Sequence, residues 1–200
     1  MDDDPIQGFG YRPLEPADLP LLHGWLHQPH VAEWWGDDVP ETVEGVAAEY
    51  DPDAPANRHL HQMVIEVSTE TDVLRPVGWI QWYLIADEPE WGPGLVPPPD
   101  TTAIDLCIGD PAFVGRGLGP RIIRLVVHGS IEAEVPGCRE VWIDPNPRNE
   151  RAVRAYAAVG FRDTGVDLVD PETAGEVRRL MIGRLLPGLG IVRPGEASPA

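Results

Sequence analysis

The sequence predicts a single domain of the α/β class. Its 200 residues are enough for one domain with a sizeable hydrophobic core. Short β-branched or alternating apolar segments predict strands, and apolar residues at helical spacing predict the helices between them. The clearest unit is an apolar strand over 104–108, a glycine-rich corner over 115–119 and an apolar helix over 120–129. The other elements are placed around this unit.

Those elements follow in chain order. The predicted strands are 9–14, 61–67, 77–85, 104–108, 138–143, 161–168 and 177–185. The first predicted helix is opened by 15–18 and runs through Leu26, and the other predicted helices are 40–50, 120–129 and 149–159. Pro29 is expected to end the first helix and to leave a loop-like stretch over 31–36. Residues 8–186 are predicted to form the domain, with flexible ends at 1–7 and 187–200.

The glycine-rich corner predicts an anion-binding site. Gly115, Gly117 and Gly119 occupy alternate positions, and glycines allow consecutive backbone N–H groups to converge on one point. The start of the following helix adds about half a positive charge. The spacing is neither that of a P-loop nor G-x-G-x-x-G. Glycine triplets also mark ordinary tight turns, and the pattern alone leaves that alternative open.

Composition excludes some partners and favours others. The formal net charge is −18 and every basic residue is arginine, so nucleic acid is not expected as a partner. Such acidity attracts cationic substrates, although it could equally serve solubility. Because there is no apolar run of about 18 residues and the N-terminus is acidic, we expect a cytoplasmic protein without membrane association. Cys107 and Cys138 are predicted to be reduced, and no metal is expected.

Asp105 is the most unusual single residue. It lies between Ile104 and Leu106 in an otherwise apolar strand, where an unpaired buried carboxylate is costly. Such a carboxylate can accept a proton from an attacking amine, directly or through water. The alternatives are a salt bridge to an arginine or a position facing solvent at a strand edge. No Ser-His-Asp or Cys-His arrangement is visible, which argues against a covalent acyl-enzyme.

Two motifs resemble those of the GNAT acyl-CoA N-acetyltransferases. The run V-G-R-G-L-G over 114–119 resembles the family's pyrophosphate loop, R/Q-x-x-G-x-G/A, with Val114 at the leading Arg/Gln position. The run D-P-N-P-R-N-E-R-A-V-R-A-Y-A-A-V-G-F over 144–161 resembles the family's second signature. The resemblance covers about 9–185. It implies the GNAT fold, a mixed α/β sheet whose two central strands splay apart around acyl-CoA.

The resemblance also implies residue roles. Asp105 would be the base, Tyr156 would protonate the leaving CoA thiolate, and the amine would attack acetyl-CoA directly in a ternary complex. Backbone N–H groups over 106–108 would polarise the thioester carbonyl. The residues expected to bind acetyl-CoA, the co-substrate, are Leu106, Cys107, Ile108, Val114, Gly115, Arg116, Gly117, Leu118, Gly119, Pro120, Arg121 and Asn149. From the residues alone, Tyr156 could instead pack on the sheet, and Asn149 could cap its helix.

A third set of segments bears on the substrate. W-L-H-Q-P-H-V-A-E-W-W-G over 25–36 resembles the aminoglycoside 6′-N-acetyltransferases, as do 83–105 and 143–145. This resemblance implies a cationic aminoglycoside partner, acetylated at its 6′-amine in antibiotic resistance. Carboxylates beside aromatic walls suit a molecule with several ammonium groups. The residues expected to bind it are Trp34, Trp35, Tyr50, Glu90, Asp105, Asp144 and Asp170.

Other acceptors and one non-enzymatic role stay open. Siderophore-assembly acyltransferases that modify lysine or hydroxylysine share much of this pattern, and a precursor with its own carboxylate would need an arginine in the pocket. A polyamine or a protein N-terminus is a further possibility. Outside enzymes, the alternative is a non-catalytic GNAT domain that binds CoA. The chain is expected to be a monomer or a homodimer.

Overall fold

The computed structural model describes residues 6–35, 39–69, 73–92, 94–169, 176–186, 188 and 190–191. The chain forms two units. The first consists of Met1–Gln81 and Asp105–Leu118, and the second of Trp82–Ile104 and Gly119–Ala200. Each unit combines helices with strands of a mixed β-sheet.

The first unit contains the N-terminal strands and three helices. Its elements are β1 (Gly8–Pro13), α1 (Leu19–Leu26), α2 (Pro29–Trp35), α3 (Val43–Tyr50), β2 (His61–Ser68), most of β3 (Arg75–Leu84) and the second half of β4 (Thr102–Ile108). The strand order in this unit is β1-β2-β3-β4. β1 and β2 are antiparallel, from Gly8↔Ser68 to Pro13↔Met63.

The second unit contains the beginning of β4 and the C-terminal elements. These are α4 (Leu118–Val126) from its second residue, a π-helical turn (Val127–Ile131), α5 (Glu132–Glu134), β5 (Glu140–Ile143), α6 (Glu150–Val159), β6 (Arg162–Val169), β7 (Val177–Leu186) and β8 (Gly190–Ile191). The strand order is β4-β5-β7-β6, with β8 paired to β7. β4 and β5 are parallel, whereas β7 is antiparallel to each of its partners. The predicted mixed α/β sheet is therefore confirmed.

Helix α1 anchors the core of the first unit. Leu19, Leu22, Trp25 and Leu26 recur at helical spacing, and all four are buried. They belong to one cluster with Trp79 of β3. Burial of a large apolar side chain contributes about 1.5–3 kcal/mol, so this face of the helix holds it against the sheet.

The chain leaves β4 through a closely packed turn. Gly109 follows the strand, and a Cβ built there would lie 2.0 Å from the Trp25 ring. Only glycine therefore allows α1 to approach the end of β4 this closely. Nε2 of His30, in α2, donates a hydrogen bond to the carbonyl oxygen of Ile108 at 2.9 Å. Both helices are thus fixed to the end of the strand that carries Asp105.

Helix α2 corrects the prediction for the stretch after α1. Pro29 begins this helix, and the segment expected to be loop-like is helical as far as Trp35; Gly36 lies outside the described residues. The carbonyl oxygen of Gln28 accepts hydrogen bonds from the N–H groups of Val31 and Ala32, each at 2.8 Å. A proline in the first helical position needs no N–H partner, so it starts a helix as readily as it ends one.

Smaller differences concern element ends. α3 begins at Val43, later than predicted, because the side chain of Thr42 accepts a hydrogen bond from Gly45 N at 3.1 Å and caps the helix. Gly190–Ile191, within the predicted C-terminal tail, forms a strand beside β7. Both cysteines are free and buried, as predicted. Within the described ranges, no helix is long and apolar enough to cross a bilayer.

Candidate active site

Asp105 lies in β4, and a neighbouring strand fixes its carboxylate. The residue is half-buried. Nε2 of Gln81, in β3, donates a hydrogen bond to Oδ2 of Asp105 at 2.9 Å, and Gln81 itself is buried. Because the amide is neutral, this bond orients the carboxylate without neutralising its charge. A carboxylate held in a fixed orientation is the arrangement that a general base requires.

Tyr50, at the end of α3, lies close enough to Asp105 to respond to its charge. The pKa of the Tyr50 phenol is raised to about 12, mainly by burial. A hydrogen bond with the Trp35 side chain opposes this rise, whereas the negative charges of Glu49 and Asp105 add to it. The phenol is therefore protonated at neutral pH and available as a hydrogen-bond donor. The structure thus brings together three of the predicted acceptor residues.

An aromatic cluster, defined here as Trp35, Tyr50 and Trp79, surrounds this tyrosine. The Trp79 ring meets Trp35 edge-on at 5.9 Å between centroids and Tyr50 at 5.5 Å, a geometry that aromatic pairs favour. Burial raises the pKa of the nearby Cys107 thiol to about 12. A thiol that stays protonated is a poor nucleophile.

The two adjacent tryptophans of α2 point in different directions. Neighbouring residues of a helix project about 100° apart, and Trp34 and Trp35 are both half-buried. Trp35 packs in the aromatic cluster. Trp35, one of the two predicted acceptor-binding tryptophans, therefore lies beside Tyr50, whereas Trp34 lies on another face of the same short helix.

The corner after β4 has the backbone of an anion cradle. Gly115 and Gly117 have φ angles of 78° and 72°, in the left-handed region that favours glycine. A Cβ built at Gly115, Gly117 or Gly119 would have no atom within 4 Å, so the corner is open there. Left-handed residues at alternate positions allow neighbouring N–H groups to converge on an anion. These residues fit the diphosphate of a nucleotide coenzyme such as CoA.

Two arginines lie against one phenyl ring beside this corner. The guanidinium carbon of Arg116 is 5.4 Å from the centroid of the buried Phe113 ring, and that of Arg75 is 4.9 Å from it. Nη2 of Arg75 also pairs with Oδ2 of Asp110 at 2.5 Å. Arg116 is a predicted coenzyme residue, whereas Arg75 has no signal in the sequence, because only the pairing of β3 with β4 brings it here.

Most of the other predicted coenzyme residues lie in β4, in the segment just before the glycine corner, or at the start of α4. Leu106, Cys107 and Ile108 lie in β4, Val114 precedes the glycine corner, and Leu118, Gly119, Pro120 and Arg121 form the first turn of α4. The cradle therefore continues directly into a helix N-terminus, as predicted.

Helix α6 of the second unit carries Asn149 and Tyr156. Oδ1 of Asn149 accepts a hydrogen bond from Ala152 N at 3.1 Å, so Asn149 caps the helix. Tyr156 is buried, and its ring meets Phe161 edge-on at 5.8 Å. The two structural roles considered from the sequence are both present. The coenzyme contact of Asn149 and the proton transfer by Tyr156 stay predictions.

The remaining predicted acceptor residues are dispersed. Asp144 follows β5, and its Oδ2 lies 3.1 Å from Nη1 of Arg178, so this carboxylate is paired with a cation. Glu90 is exposed in the segment after β3. Asp170 lies outside the described residues. Arg178 has no signal in the sequence, although its guanidinium changes what the Asp144 carboxylate can offer a ligand.

Comparison with known families assigns most of the chain to one class of enzyme. Residues 15–166 match the family model described as an acetyltransferase (GNAT) domain. The chain therefore belongs to the GNAT acetyltransferase family. The resemblance drawn from the two sequence motifs is confirmed.

Among acetyltransferases of this family, the chain is similar to enzymes that acylate amines of two kinds. The chain is 28% identical, over 161 residues, to the aminoglycoside N(6′)-acetyltransferase type 1 of Klebsiella pneumoniae, covering 77% of this chain and 74% of that one. It is also 28% identical to the lysine N-acyltransferase MbtK of Mycobacterium sp. (strain MCS), covering 76% and 59%. A solved structure of AAC(6′)-Ib with paromomycin and acetyl-CoA matches with a TM-score of 0.72 at 25% identity, covering 88% and 93%.

Proposed function

We propose that this chain is an N-acetyltransferase that transfers the acetyl group of acetyl-CoA to the 6′-amine of aminoglycosides, an antibiotic-resistance activity. The observation that carries the proposal is the Asp105 carboxylate, held by Gln81 and close to the protonated Tyr50. The aminoglycoside acetyltransferases that match most of both chains support the choice of substrate.

Acetyl-CoA binds, in this proposal, along β4 and the corner that follows it. The N–H groups around Gly115 and Gly117 hold the diphosphate, and Arg116 and Arg121 add positive charge. Backbone N–H groups over 106–108 polarise the thioester carbonyl. Asn149 contacts the pantetheine or phosphate portion while it caps α6.

The reaction is a direct transfer. The 6′-ammonium loses a proton to Asp105, directly or through water, which frees the nitrogen lone pair to attack the thioester carbon. The C–N bond forms, the C–S bond breaks, and the phenol of Tyr156 donates its proton to the leaving thiolate. The acylated nitrogen then loses its second proton, which returns to the Tyr156 phenolate through water, so one proton is released overall. A phenol suits this step because its ordinary pKa, about 10, is close to that of an alkyl thiol. Acid and base catalysis of this kind contributes about 10²–10⁴-fold each.

Charge and aromatic surface recognise the acceptor. Trp34, Trp35 and Tyr50 provide its apolar walls, and the carboxylates of Asp105, Glu90, Asp144 and Asp170 provide negative charge. The net charge of −18 attracts a polycation over a longer range and speeds encounter. We expect a cytoplasmic monomer or homodimer whose catalytic domain spans 8–186.

Lysine-type acyl transfer is the second candidate, and Arg178 favours it. A lysine derivative carries a carboxylate, which an arginine recognises well. Arg178 lies beside Asp144, one of the predicted acceptor residues. The lysine N-acyltransferase relative is as similar in identity, at 28%, as the aminoglycoside enzyme.

One experiment separates these candidates. The purified protein is incubated with acetyl-CoA and a panel of kanamycin-type drugs, lysine derivatives and polyamines, and free thiol release is followed. We expect release with drugs that carry a 6′-amine and none with matched drugs that carry a 6′-hydroxyl. Release with lysine derivatives alone would establish the second candidate. An absence of release with every amine would contradict the enzymatic role.

A further inference from the structure

Gln81 is buried, and only one of the two polar atoms of its side-chain amide has a hydrogen-bond partner among the described residues. It lies in β3 and is 8% exposed. Its Nε2 donates to Oδ2 of Asp105 at 2.9 Å, while its buried Oε1 has no hydrogen-bond partner among the described residues. The orientation of the amide is fixed by chemistry, because the reverse orientation would set its oxygen against the carboxylate. Gln81 thus presents an unpaired acceptor beside the proposed base.

An unpaired buried acceptor destabilises the folded protein, since it loses its hydration without gaining a new donor. Trp79, two residues earlier in the strand, is buried, so an apolar side chain would be the simpler choice at position 81. The presence of an amide at position 81 is explained if a bound ligand supplies the hydrogen-bond donor that Oε1 lacks. Side chains two apart on a strand share a face, and Trp79, two residues earlier, packs in the aromatic cluster with Tyr50. The free oxygen therefore lies on the face of β3 that carries the predicted acceptor residues.

We infer that Gln81 both binds the acceptor amine and positions the base: its Oε1 accepts an N–H of the amine while its Nε2 holds Asp105. The inference rests on the proposed function. A primary ammonium has three N–H groups, so one can be donated to Gln81 while another transfers its proton to Asp105. The nitrogen is then fixed by two partners when its lone pair is freed. Gln81 itself exchanges no proton.

Two variants separate the two atoms of the amide. Gln81→Met keeps the length of the side chain but removes both hydrogen bonds. We expect kcat/KM for the aminoglycoside to fall about 30–100-fold, with the Kd of acetyl-CoA within about twofold. Gln81→Glu keeps an accepting oxygen but replaces the donor to Asp105 by a second carboxylate. We expect KM for the amine to stay within about threefold, and the acid limb of kcat/KM to move to higher pH, because adjacent carboxylates retain a proton.

Among the described residues of its own unit, the titratable groups that act on Tyr50 beside Asp105 do not obscure this measurement. Tyr50 and Cys107 each have a pKa of about 12, raised mainly by burial, so both stay protonated in the assay range. Glu49, which also acts on Tyr50, is exposed on α3. The shift of the acid limb between wild type and Gln81→Glu therefore reports the carboxylate that Gln81 contacts.

A matched control removes a buried hydrogen bond on the opposite face of the same strand. Nε1 of Trp82 donates to Oγ of Ser130 at 2.9 Å, and Ser130→Ala removes that acceptor. This variant is expected to lower Tm while leaving KM and the acid limb unchanged. If Gln81→Met matches the wild type, or if both Gln81 variants behave like Ser130→Ala, the inference is wrong. If the wild type acetylates no amine at all, the proposed function fails as well, and the two failures are thereby distinguished.

Discussion

Asp105 and Asp144 are both predicted to bind a cationic acceptor, yet their surroundings differ. Asp105 accepts a hydrogen bond from the neutral amide of Gln81 at 2.9 Å. Asp144 lies 3.1 Å from the guanidinium of Arg178. A neutral donor orients a carboxylate and leaves its charge to act on a ligand, whereas a cation largely satisfies that charge. The partner, more than the residue type, decides what each aspartate can do.

Asp105→Asn tests the first half of this comparison and is expected to have the largest effect. The amide keeps the shape of the side chain but cannot accept the proton, so kcat should fall about 10²–10⁴-fold. Calorimetry should show unchanged acetyl-CoA affinity. Asp144→Asn is the matched variant, and it should raise KM for the aminoglycoside with little change in kcat. Equal losses of kcat in both variants would show that the two aspartates do not differ in role. An unchanged kcat in Asp105→Asn would show that Asp105 is not the base.

Tyr156→Phe tests whether Tyr156, in the second unit, donates a proton in the reaction or only packs against Phe161. The variant keeps the ring that packs edge-on against Phe161 and removes the proton of the phenol. We expect kcat to fall about 10–100-fold, with Tm and acceptor KM little changed. Single-turnover acetyl transfer measures this step directly. A loss confined to KM would show that Tyr156 has a binding role instead.

Arg178→Gln tests the second half of the comparison, because it removes the cation that lies 3.1 Å from Oδ2 of Asp144. We expect KM for a polycationic aminoglycoside to fall about threefold at low salt, with a smaller gain at high salt because exposed charges are screened. KM for a lysine derivative should rise, since the cation that would bind its carboxylate is removed. Steady-state kinetics with both acceptors at two ionic strengths measures the effect. A rise in KM for the aminoglycoside would mean that Arg178 itself supports that substrate.

Tyr50→Phe should have the smallest effect. The raised pKa of the phenol, about 12, means that the group is neutral at every pH well below that value. Its removal should therefore leave the shape of the pH profile of kcat/KM between about pH 6 and 10 unchanged. Loss of one hydrogen-bond donor should raise acceptor KM about 2–5-fold. A basic limb that is present in the wild type and absent from the variant would contradict the assigned protonation state.

The fold was predictable where one pattern governs an element. The apolar face of α1 and the apolar run of β4 are local signals, and both elements lie where the spacing placed them. Helix α2 was not predicted, because Pro29 is compatible with the end of one helix and with the start of another. Hydrogen bonds to Gln28 decide between the two, and they depend on the surrounding structure.

The candidate site was predictable where a polar residue interrupts an apolar strand. Asp105 is such a residue, and Gln81 in W-I-Q-W-Y is another, although no site was predicted there. Arg75 and Arg178 had no such signal. Arg75 contacts Phe113 and Arg178 pairs with Asp144, and both partners are far away in the sequence. The spacing of residues in a single sequence does not reveal such pairs.

The turn after β4 has a consequence for how this enzyme can change. Because the Trp25 ring occupies the space that a side chain at Gly109 would need, any larger residue there would push α1 away and shift the end of the strand. The hydrogen bond from His30 to Ile108 ties α2 to the same point. A substitution at Gly109, Trp25 or His30 would therefore disturb the end of the strand that carries Asp105, although none of the three residues is assigned a role in the reaction.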